Sequence, residues 1–174
     1  MLSSRIGSQS HRFGGHAAPN GTIAVMSERV RGYAHRVDIA GDVQSVWRAF
    51  TEQAHLARWC APGAQIRPRA GGLFRASVDR VTELDAHIDV FEPGRRMRLI
   101  YLPSEALPPS DTAVVADFIV EGSPEGSIVR VLGSGVPDAP AWNLPYKRMR
   151  VGWERAMARL KVYVETQMDG KQPS

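Results

Sequence analysis

YKRMRVGWERAMARLKVYVE, residues 146–165, decides the fold. Met149, Trp153, Ala156, Met157, Leu160, Tyr163 and Val164 recur at steps of three and four and form one broad apolar stripe. That spacing predicts a long helix with a single buried face. Arg148, Arg155 and Arg159 fall on its other side and read as a solvated face, since Glu154 and Glu165 interrupt the charge. A stripe of this width needs an apolar layer to lie on, and the residues upstream supply one.

From Leu73 to Gly135 the period changes from about 3.6 to 2. Phe74, Ala76 and Val78 alternate with polar neighbours, as do Leu84, Ala86, Ile88 and Val90, and then Met97, Leu99 and Tyr101. Residues 112–120 and 127–135 complete the series, with turns at Pro93-Gly94 and between Gly122 and Gly126. One dry and one wet face per segment is the pattern of antiparallel strands. Residues 102–111 hold Pro103, Pro108 and Pro109 and read as a loop or rigid edge, and residues 137–145 as a second proline-rich connection. Asp117 and Arg130 lie in the last two strands, on the outer face by parity, and could pair across them.

Before the strands, Tyr33, His35, Val37 and Ile39 alternate as a first strand. Val46, Trp47 and Phe50 then take helical spacing behind an Asp42 cap, and a second short helix carries Leu56 and Trp59 and stops at Pro62-Gly63. One strand, two short helices, about six strands and a long helix argue an α+β fold with the helix laid across one face of the sheet. Residues 1–30 are expected to be a disordered tail, or partly an upstream start before Met26. Residues 31–166 are expected to be the folded domain and residues 167–174 a flexible end.

The 174 residues are 43% hydrophobic, enough for one real core. Cys60 is the only cysteine, so neither an internal disulfide nor a cysteine-built zinc site can form. No apolar run approaches the roughly 18 residues of a membrane span. The net charge of +4 comes mostly from arginine, only Lys147, Lys161 and Lys171 being lysines, and is not read as a nucleic-acid footprint. A cytoplasmic protein with no membrane or nucleic-acid partner, as monomer or homodimer, is expected.

Four passages carry a family resemblance. Val46-Trp47-Arg48-Ala49-Phe50-Thr51, His55-Leu56-Ala57-Arg58-Trp59-Cys60-Ala61-Pro62, Gly71-Gly72-Leu73-Phe74 and Gly152-Trp153-Glu154-Arg155 stand in this order. The sequence resembles the START-like, helix-grip (SRPBCC, polyketide cyclase-like) superfamily. Within it, the chain is most similar to bacterial homologues of the activator of heat shock protein 90 ATPase, C-terminal domain type. The resemblance implies a seven-stranded antiparallel sheet curled around the long helix, with a cavity between them. The sequence departs from the pattern at Asp42, where many relatives carry proline, at Cys60, where a second aromatic often follows the Trp, and at Gly133, where some carry a polar ring.

By alternation, Phe74, Met97, Tyr101, Phe118 and Val131 should point to the concave face, opposite Met149, Trp153 and Met157 of the helix, with Trp59 closing one end. These nine are the candidate ligand-binding residues. Rings and flexible thioethers suit variable apolar ligands, yet the same stripe also fills solid cores, and the residues alone leave both readings open. No catalytic constellation stands out. His11, His16, His35, His55 and His87 lack metal-ligand spacing, and Ser134 in Gly133-Ser134-Gly135 lacks a strand–elbow–helix context. No metal, cofactor or catalytic residue is therefore expected. The reading is a non-enzymatic, co-chaperone-like protein that binds a small hydrophobic molecule. A polyketide cyclase or aromatase using the same cavity is the alternative, and contact with a chaperone or other protein a further expectation of the resemblance.

Overall fold

The computed structural model describes residues 28–77 and 83–168. β1 (Val30–Ile39) is followed by α1 (Val43–Thr51), α2 (Gln53–Trp59), β2 (Gln65–Ile66), β3 (Leu73–Ser77) and β4 (Glu83–Glu92). β5 (Arg96–Tyr101), β6 (Val115–Ser123), β7 (Gly126–Pro137) and α3 (Asn143–Tyr163) complete the order. The seven strands form one antiparallel sheet in the order β1-β7-β6-β5-β4-β3-β2, with α3 across its concave face. This is the α+β helix-grip architecture. The expected N-terminal tail and flexible C-terminal end lie almost wholly outside the described residues.

Local chemistry explains most boundaries. Asp42 caps α1, its carboxylate accepting from the Ser45 amide at 2.9 Å. α3 begins three residues earlier than the stripe suggests, because Pro145 sits in its first turn, where no intrahelical partner is needed for the missing N–H. β2 is only two residues long, too short to show a period in the sequence. Its Ile66 amide donates to the Gln53 side chain of α2 at 3.0 Å, which ties the short helices to the sheet edge.

Two expectations are corrected. Val90 does not continue the inward row of β4. The register slips between Ile88 and Val90, so Val90 lies opposite Arg98 and Phe91 opposite Met97. A bulge adds one residue and flips every later side chain to the other face, so Phe91 now packs on Trp47, ring centroids 5.5 Å apart. Asp117 and Arg130 do not pair with each other. Asp117 binds Arg96 at 2.6 Å and Arg98 at 3.1 Å, while Arg130 pairs with Glu121.

Candidate functional site

The concave face is built in rows. Met97, Phe118 and Val131 are cross-strand neighbours on β5, β6 and β7, and His35 of β1 lies opposite Val131. The adjoining row runs Ile88, Leu99, Ala116, Gly133, Tyr33. Small residues at Ala116 and Gly133 leave the second row shallow at its centre. The Tyr33 ring fills that hollow: a Cβ on Gly133 would fall inside it. An aromatic ring at this point of the sheet is therefore supplied from β1, across from Gly133.

α3 closes over these rows. Trp153 is fully buried, edge-on to Phe118 at 4.8 Å and 6.4 Å from Phe74. Its indole Nε1–H donates to the Tyr101 hydroxyl at 2.8 Å. Met149 and Met157, one turn to either side, are buried as well. Of the nine candidate residues, Phe74, Met97, Phe118, Val131, Met149, Trp153 and Met157 thus form the core between sheet and helix. Tyr101 and Trp59 also line clefts that open to solvent.

The polar atoms in this core are few and unequally satisfied. Burial pushes the Tyr101 phenol well above its ordinary pKa, against the Trp153 hydrogen bond, which lowers it. Tyr33 is raised too, by burial first and by Tyr101 second. Both are neutral hydrogen-bonding groups at pH 7. The two hydroxyls are close enough to influence each other's ionisation, yet the Tyr33 hydroxyl makes no hydrogen bond of acceptable geometry. His35 Nε2 is also buried without a partner, its ring 5.6 Å from that of Tyr33. An unmet buried polar group costs about 1–3 kcal/mol, so this corner is held at some expense of stability.

Tyr101 connects the corner to the surface. It forms part of a cleft of about 210 Å³ between the β5–β6 connection and the start of α3. The walls are Leu102, Pro103, Leu107, Pro108, Pro109, Val114 and Trp142. Ser104 lines the same cleft, and its hydroxyl is buried and unpartnered. Sequence reasoning passed over Tyr33, Ser104, Leu107 and Trp142. The proline-rich stretch was the available signal, since it fixes an apolar wall without a strand.

At the other end of α3, Trp59 is buried, donates from Nε1 to the Ala49 carbonyl at 2.8 Å and meets Phe50 edge-on. Arg159 is not on a purely solvated face. It crosses from α3 to α2 and donates to the carbonyls of Trp59 and Cys60, at 3.0 and 3.3 Å. A cation there complements the negative end of the α2 dipole. Burial pushes the Cys60 thiol up to about 12, which leaves it unreactive near neutrality. His55 bridges Glu52, at 3.2 Å, and the Tyr163 hydroxyl, at 2.5 Å, and so clasps α2 to α3. A cleft of about 570 Å³ beside Arg36, Asp38 and Lys161 offers little, because these groups already bind one another. Among the described residues, no three His, Cys, Asp or Glu side chains converge as a metal site, and no helix is long and apolar enough to cross a membrane.

Residues 41–165 match the family of activator of Hsp90 ATPase homolog 1-like proteins. The chain belongs to that family. Solved structures agree on the fold. Protein MLL2253 from Mesorhizobium loti is 22% identical, with a TM-score of 0.67 over 79% of this chain and 98% of that one. The Aha1 dimer from Colwellia psychrerythraea is 16% identical, with a TM-score of 0.67 over 82% and 99%. CalU16 from Micromonospora echinospora is 20% identical, with a TM-score of 0.57 over 79% and 74%. No curated protein sequence matches the chain.

Proposed function

We propose that this member of the activator-homologue family binds a small, mainly apolar molecule carrying one hydrogen-bonding group. The guest would enter at the cleft beside Leu107 and Trp142 and reach the interior past Tyr101. The observation that carries this reading is the double position of Tyr101: its hydroxyl is bonded to Trp153 in the core, while the residue lines the apolar cleft. The orphaned hydroxyls of Ser104 and Tyr33 supply polar contacts that an apolar core alone would not need. The cleft volume is below the roughly 300 Å³ at which drug-sized pockets begin, so a guest of one or two rings fits.

Binding is favoured over catalysis. A cyclase needs groups that exchange protons near neutrality, whereas the described walls of this cleft hold no His, Cys, Asp, Glu or Lys, and its one phenol, Tyr101, is shifted away from neutrality. The same proposal takes residues 31–166 as the binding domain, in a cytoplasmic, co-chaperone-like protein. 2-Naphthol, titrated into the full chain and followed by tryptophan fluorescence and thermal shift, tests it. Saturable binding that Leu107→Arg weakens about tenfold or more supports the reading. Absence of any saturable response to 2-naphthol and to indole contradicts it.

A further inference from the structure

A second site lies at the opposite end of α3. Two clefts, of about 340 and 490 Å³, flank a ridge made by Arg58, Trp59 and Arg159, residues common to both. The smaller is otherwise apolar, walled by Ala158, Val162 and the Tyr163 ring. Val162 is 59% exposed, the most exposed large hydrophobic residue described. The Tyr163 hydroxyl is already taken by His55, so Tyr163 offers its ring rather than a polar group.

Most arginines of the sheet and of α1 are neutralised, and those without a carboxylate partner among the described residues outside this ridge, such as Arg67, Arg69, Arg150 and Arg155, line neither of the two clefts. Arg36, Arg48, Arg75, Arg96, Arg98 and Arg130 all bind carboxylates. Arg159 instead spends Nε and one Nη on the Trp59 and Cys60 carbonyls, which fixes its guanidinium and leaves its charge unneutralised. Arg58 is exposed, and no hydrogen bond or ion pair joins it to the described residues. Among the described residues the smaller cleft has no acidic wall. In the larger, the one carboxylate among the described residues is Glu83, which is paired with Arg75 at 3.2 Å. The Ser77 hydroxyl, also on the wall of the larger cleft, is buried and unpartnered.

We infer that this ridge binds a small amphipathic carboxylate, the anion between Arg58 and Arg159 and its alkyl tail on Val162 and Ala158. A guanidinium already held in place forms charge-assisted bonds to a carboxylate at little further ordering cost. The apolar wall beside it accounts for Val162, which no packing within the chain explains. The site is separate from the Tyr101 cleft and stands or falls independently of it.

Decanoate and decanol, titrated into the full chain by calorimetry at neutral pH and low salt, provide the test. Decanoate should bind at least about tenfold more tightly than decanol, the scale of one charge-assisted contact. Arg58→Ala should remove that preference and Val162→Asp should weaken decanoate further, while Leu107→Arg leaves it unchanged. The Arg58 and Val162 side chains are exposed and Leu107 is half-buried on the wall of the other cleft, and thermal melts confirm that all three variants fold. Decanoate that binds no better than decanol overturns the inference. So does a preference that survives Arg58→Ala but is lost in Leu107→Arg, which would place the acid in the Tyr101 cleft. Decyl phosphate distinguishes the anion: binding of the phosphate alone, without decanoate, also overturns it.

Discussion

The two faces of the sheet are made by the same strands and obey opposite rules. On β5 and β6 the convex side carries Arg96, Arg98 and Asp117, and the concave side Met97, Leu99, Ala116 and Phe118. Outside, the ionic groups are closed on one another. Arg75 reaches Asp85 at 2.6 Å, and Arg96 and Arg98 share Asp117. Inside, charge is absent, but neutral polar atoms at Tyr33 and His35 remain unmet. A surface whose charges are mutually satisfied has little left for a partner, whereas an interior with unmet hydroxyls has capacity to spare. Function is therefore sought on the concave side and at the clefts by the two ends of α3, not on the convex face.

Trp153→Ala attacks the concave side at its centre. It removes the fully buried ring and the bond to Tyr101, and should cost about 3–5 kcal/mol, read as a large fall in Tm and in denaturant midpoint. Gly133→Ala should cost about 1–3 kcal/mol, because the new methyl collides with the Tyr33 ring. A smaller residue at 33 relieves that collision, so Tyr33→Ala combined with Gly133→Ala should lose less than the sum of the two single changes.

The convex side predicts a pH effect instead. Burial works to raise the Asp117 pKa, but the hydrogen bonds from Arg96 and Arg98 outweigh it and hold the carboxyl below its ordinary 3.8. A lowered folded-state pKa contributes stability that is present above the unfolded value and lost as pH falls through the folded one. Stability should therefore decline below about pH 4. Asp117→Asn should flatten that decline while costing about 1–2 kcal/mol at neutrality. Denaturant midpoints measured between pH 2.5 and 7 check both statements.

Tyr33→Phe should have the smallest effect of all. The Tyr33 hydroxyl faces that of Tyr101 without a well-formed hydrogen bond, so removing it leaves stability within about 1 kcal/mol of the parent, or slightly raises it. A loss of 2 kcal/mol or more would show that the hydroxyl is satisfied and that the two faces are less different than described.

How far the sequence could be read follows from the same contrast. The stripe of α3, the Asp42 cap and the inward rows were legible because period and capping are local properties. The slip at Asp89 was not, since a bulge changes parity without changing composition. Arg159 looked like one member of a solvated row. Its role depends on α2 ending opposite it, a contact between residues a hundred positions apart. Tyr33 read as one more strand residue, because only the register with Gly133 gives its ring a place to lie. Of the seven candidate residues of the core, Phe74, Met97, Phe118 and Val131 follow from alternation and Met149, Trp153 and Met157 from helical spacing. The cleft walls at Leu107 and Trp142 sit in proline-rich connections with no period to reveal their direction.

The central claim is that an apolar guest reaches the interior beside Tyr101. The four tryptophan indole N–H resonances read it directly, since Trp142 lines that cleft, Trp153 touches Tyr101, Trp59 marks the far cleft and Trp47 packs on Phe91. In a 1H–15N NMR titration with 2-naphthol, the account expects Trp142 and Trp153 to shift together while Trp59 and Trp47 stay in place. Movement of Trp59 alone, or of none of the four at saturating probe, would contradict it.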